Sequence, residues 1–112
     1  LELALVCKIP MIFDTHHDAC YRSLHKDYTP EDVIDQLPYI IDTWRDVTPL
    51  LHISEQRPNA RIGAHSDYIE TIPDYIIETL QNGTSLDMEV EAKMKEQAIF
   101  KLYQSYPSLC KQ

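Results

Sequence analysis

Two histidines stand directly behind an apolar run in "PMIFDTHHDACY", residues 10–21, and an aspartate precedes the second of them by three positions. Asp14 and His17 thus form a DxxH pair, one way to aim a carboxylate and an imidazole at the same spot where a strand ends. A carboxylate and a neutral imidazole are hard-to-borderline donors suited to manganese, zinc or iron. The same residues have a plainer reading, in which Asp14 caps the following helix and His17 is solvated. The side chain of His16 is expected to point away from that of His17, in a packing or supporting role.

Three further groups extend the donor set. His52 lies in "LLHIS" between apolar residues, where a histidine is commonly a satisfied core residue, and Ser54 beside it can cap the next loop. His65 in "GAHSD" follows a loop and opens a predicted helix for which Asp67 is a suitable cap. Glu91 closes an alternation in "LDMEVEAK" that sets Leu86, Met88 and Val90 against Asp87, Glu89 and Glu91. A row of acids facing a barrel interior requires a cation or a basic partner.

The elements that position these groups alternate. Residues 2–8 read as the end of a helix, 10–14 as a buried strand and 18–26 as a short helix or turn. Thr29, Pro30, Glu31 and Asp32 open a helix with apolar positions Val33, Leu37, Ile40, Ile41 and Trp44, in which Pro38 is expected to kink or split the element. Residues 48–54 form the second strand, "SEQRPNARIGAHSD" a loop, and 67–81 a helix stopped at Asn82-Gly83. The third strand covers 85–91, and "AKMKEQAIFKLYQSY" an amphipathic helix closed by Pro107. This β, α, β, α, β, α order predicts an α/β fold with a parallel sheet. In such sheets functional groups gather at the carboxyl ends of the strands. Asp14, His17, His52, His65 and Glu91 all fall at or just beyond those ends.

Composition bounds the rest. The 112 residues are 44% hydrophobic and 25% charged, which fits one folded domain. No apolar run approaches a membrane span, and no secretion signal is visible. Cys7, Cys20 and Cys110 are odd in number and form no CxxC, so no disulfide-linked partner and an intracellular, reducing location are expected. A net charge of -8 opposes a generic phosphate binder. Acidic metal ligands contribute to that charge, however, and a bound cation neutralises them.

At this point "IPMIFDTHHDACY", "PLLHISEQRPNARIGAHSDYI" and "DMEVEAKMKEQAI" resemble, in order and spacing, the carboxyl-terminal half of the UV damage endonuclease family. Those are TIM-barrel enzymes that nick DNA beside ultraviolet lesions. The DxxH pair is also similar to that of endonuclease IV-type barrels and, more distantly, of xylose-isomerase-like enzymes. The resemblance implies a partial (β/α)8 barrel of about three βα units, with residues 1–112 as the carboxyl-terminal portion of one barrel domain. It implies divalent metal ions, manganese first and zinc as an alternative, held by Asp14, His17, His52, His65 and Glu91. Asp14 and Glu91 carry the catalytic part, with His16, Asp67 and Lys93 in support. Where some members have a lysine two residues before the strand-end histidine, this chain has Leu50.

The expected partner is damaged double-stranded DNA, in cytoplasm or nucleus, with the full-length enzyme a monomer. Ser54, Gln56, Arg57, Asn59 and Arg61 are the expected phosphate contacts. A barrel needs about 250 residues, so the chain is expected to be a fragment whose remaining ligands lie upstream. The alternatives are an inactive barrel fragment or assembly piece, and a metal-dependent sugar isomerase or epimerase.

Overall fold

The computed structural model of the protein describes residues 1–110, with Leu109 and Cys110 described in backbone only. The order is α1 (Glu2–Cys7), β1 (Phe13–Asp14), α2 (Thr15–Leu24), α3 (Pro30–Asp42), β2 (Leu50–Ser54), α4 (Asp74–Gln81), β3 (Asp87–Glu91) and α5 (Glu96–Ser105), followed by a 3-10 turn at Pro107–Cys110. The strands form one parallel sheet in the order β1-β2-β3. The α/β class and the parallel sheet of the sequence reading are both present.

Strand alternation divides the sheet into two chemically different faces. Phe13, Leu51 and Ile53 enter a buried cluster with Val33, Leu37 and Ile40 of α3, Ile76 of α4 and Leu102 of α5. Each such fully buried aliphatic side chain stabilises the fold by about 1.5–3 kcal/mol. The residues between them point the other way. Register pairs Asp14 with His52, His52 with Glu89, and Ser54 with Glu91, so these side chains share the face away from the helices.

Several boundaries differ from the sequence expectation, each for a local reason. The strand predicted over 10–14 pairs only at Phe13 and Asp14. The following helix begins at Thr15 rather than near residue 18, because Asp14 already caps it. Pro38 does not split α3, which runs unbroken through 13 residues from a Thr29–Asp32 capping box. The Thr29 N–H donates to Asp32 Oδ2 at 2.7 Å.

The helix predicted over 67–81 starts only at Asp74. Residues ahead of it are held extended by outside partners. Glu55 Oε1 accepts the N–H groups of Glu70 and Thr71 at 2.8 and 2.8 Å, and Tyr106 Oη accepts that of Ile72 at 3.0 Å. Likewise the last helix begins at Glu96, because Lys93 and Met94 donate their N–H groups to Ser66 and Asp67 carbonyls. No helix among the described residues is long and apolar enough to cross a membrane. Cys7 and Cys20 are free thiols.

Candidate metal centre

Asp14 serves two purposes with its two oxygens. Oδ1 accepts the N–H groups of His16 and His17, each at 2.9 Å, which caps α2. Oδ2 faces the neighbouring strand, 3.7 Å from His52 Nδ1. The capping and ligand readings of this residue are therefore compatible.

His52 is the middle of a cluster built by three consecutive parallel strands. Its Nδ1 lies 2.8 Å from Glu91 Oε1, and its Nε2 lies 3.1 Å from Glu89 Oε2. One donor atom each from Asp14, His52 and Glu91 falls within 4.8 Å of the others. Ser54, buried beside them, approaches Asp14 Oδ1 with its hydroxyl at 3.4 Å and exchanges hydrogen bonds with Thr15.

The donor chemistry fits a divalent cation. A neutral imidazole has one N–H, so it cannot satisfy three surrounding carboxylates. Glu91 Oε1 is buried with no hydrogen-bond donor in bonding geometry among the described residues, despite the short approach of Nδ1. Two carboxylates at this separation repel by on the order of 3 kcal/mol at an effective dielectric of about 20. A cation between them reverses that sign.

The other expected ligands stand close by without joining the three-residue group. His17 is exposed on α2. The His65 ring packs edge-on to that of His16, with centroids 5.3 Å apart. His16 is 2% exposed and its Nε2 meets Gln56 Oε1 at 2.9 Å. Its Nδ1 is buried without a hydrogen-bond partner among the described residues. The His16 and His17 rings are 6.3 Å apart.

Of the expected phosphate contacts, Arg57, Asn59 and Arg61 are exposed. Ser54 and Gln56 have other employment: Ser54 is 4% exposed, and the Gln56 amide is bonded inside its own loop. Asp67 carries the Arg57 guanidinium at 4.0 Å. Arg61, His65, Glu91, Lys93, Lys95 and Glu96 line one shallow depression, so three basic side chains stand with two acids around the end of β3. Lys95 and Glu89 were not singled out by motif. Glu89 was visible as a same-face neighbour of Glu91, but only register reveals that it abuts His52.

This parallel sheet, with acids and an imidazole gathered at its carboxyl edge, defines an α/β protein with a metal-type donor cluster. A profile of the family described as UV-endonuclease UvdE matches residues 1–111, and the chain belongs to that family. It is similar to a protein of Acanthamoeba polyphaga mimivirus, 43% identical over 95% of this chain and 32% of the relative. It is also similar to the UV DNA damage endonuclease of Bacillus cereus strain G9842, 32% identical over 90% of this chain and 32% of that protein. The crystal structure of SacUVDE superposes with a TM-score of 0.66 at 27% identity, covering 97% of this chain and 35% of that one. The chain thus spans about a third of the length of the relatives it matches.

Proposed function

We propose that this chain is the carboxyl-terminal portion of a TIM-barrel endonuclease that cuts the phosphodiester backbone of DNA beside ultraviolet lesions, using divalent metal ions. The observation that carries the reading is the meeting of Asp14, His52 and Glu91 from three successive parallel strands within 4.8 Å. Family membership supports it, as does the basic edge of the adjoining depression.

In this reading Asp14, His52 and Glu91 hold a cation, with His17 and His65 as further nitrogen ligands; this mixed set of two carboxylates and three imidazoles suits a divalent ion, manganese first and zinc as the alternative. When bound, such an ion neutralises charge developing on a phosphate and lowers the pKa of water enough for hydrolysis. The protein residues orient the reaction. Asp14 is fixed by its cap bonds, so its second oxygen keeps its direction. Arg57, Asn59, Arg61, Lys93 and Lys95 bind backbone phosphates and set the register of the duplex. No side chain is required as nucleophile. The enzyme acts as a monomer, on damaged duplex DNA inside the cell.

The test uses the protein at its natural full length. Glu91→Gln is expected to abolish manganese-dependent nicking of irradiated duplex while leaving the circular dichroism spectrum unchanged. Undiminished nicking would remove Glu91 from the site.

A further inference from the structure

Residues 57–63 are all exposed, so this loop has no buried side chain of its own to fix it. Its anchor is the Gln56 side chain. Gln56 Oε1 accepts the Gly63 N–H at 3.0 Å and meets His16 Nε2 at 2.9 Å. Gln56 Nε2 donates to the Arg61 carbonyl at 2.7 Å, with the Arg57 and Ala60 carbonyls at 3.2 and 3.3 Å. Around it, Gln56 and His65 form an isolated antiparallel bridge and the Arg57 N–H donates to the Ala64 carbonyl at 2.8 Å.

We infer that Gln56 is a positioning residue whose amide ties the helix following Asp14 to the loop that carries Arg57 and Arg61 and delivers His65. Only a primary amide meets both demands. Its oxygen faces two N–H donors, and its nitrogen faces carbonyls. A glutamate of the same shape keeps the first function and sets an anionic oxygen against the Arg61 carbonyl. Because His16 is buried in α2, the loop takes its position from the element that Asp14 caps. Loop and donor cluster therefore move as one body. This inference rests on the proposed function only in assigning the loop to DNA.

Three measurements on the full-length protein test it. In Gln56→Glu, amide exchange at Arg57 and Ala64, whose N–H groups donate to the Ala64 and Arg61 carbonyls, is expected to accelerate about tenfold or more, while amides of α3 and β2 keep their rates. Affinity for irradiated duplex is expected to fall about tenfold. In the wild type, the Gln56 side-chain NH2 is expected to show slowed solvent exchange, a readout that needs no variant to fold. Unchanged exchange at Arg57 and Ala64 in Gln56→Glu, or an unprotected Gln56 amide in the wild type, would overturn the positioning role. A wild type that binds no DNA, with the exchange results as expected, would instead overturn the endonuclease reading alone.

Discussion

Asp14 and His52 are register partners on adjacent parallel strands, and Asp14 Oδ2 lies 3.7 Å from His52 Nδ1 while Oδ1 caps the next helix. A single carboxylate thereby fixes a helix start and contributes to a donor cluster. Substitutions can separate the two tasks. Asp14→Asn keeps an acceptor for the cap and removes the charge, so thermal stability should hold within about 0.5 kcal/mol while manganese affinity is lost. Asp14→Ala should lose the affinity and also about 0.5–2 kcal/mol of stability. Paired thermal melts and metal titrations distinguish these outcomes.

Glu55 offers a second separation of charge from hydrogen bonding. Its Oε1 holds the N–H groups of Glu70 and Thr71, which keeps residues ahead of α4 extended. Glu55→Gln should cost less than about 1 kcal/mol, and Glu55→Ala about 1–3 kcal/mol, because two backbone donors lose their partner. Denaturant unfolding measures both. Equal costs would show that the acceptor is not what matters.

Much of this architecture was legible beforehand, and the failures have physical causes. Asp14 of the DxxH pair, the alternation ending at Glu91 and the placement of His52 at a strand end are local patterns, and the parallel register brings those three residues into one cluster, while His17 stays exposed on α2. The start of α4 was not legible. Periodicity over 67–81 suits a helix, but the bonds that override it come from Glu55 and Tyr106, distant in sequence. Gln56 illustrates the same limit: its residue type suits a phosphate contact, and only coordinates reveal that its amide is already engaged.

Alkaline pH should destabilise the fold through Tyr75. Burial first, and Asp18 second, push its phenol well above the ordinary range. The unfolded chain ionises near about pH 10, so the contribution of the neutral folded phenol is fully present below that pH. It is lost as pH rises further toward the folded value. Tyr75→Phe should flatten this decline in melts between about pH 9 and 11. At neutral pH it should be neutral or stabilising by up to about 1 kcal/mol, since the buried hydroxyl has no hydrogen-bond partner among the described residues. A steeper alkaline loss in the variant would contradict the assignment.

The basic border of the depression should be visible in salt dependence. Arg61→Ala and Lys93→Ala are each expected to lower the slope of log affinity against log salt by about 0.9 on duplex DNA. They should not alter manganese binding. An unchanged slope would assign that side chain to solvent.

The most direct measurement is anomalous diffraction from a crystal of the protein grown with manganese. An anomalous peak within coordination distance of Asp14, His52 and Glu91 together is the result expected from their convergence. A manganese peak elsewhere, with those three side chains uncoordinated, would contradict the account at its centre.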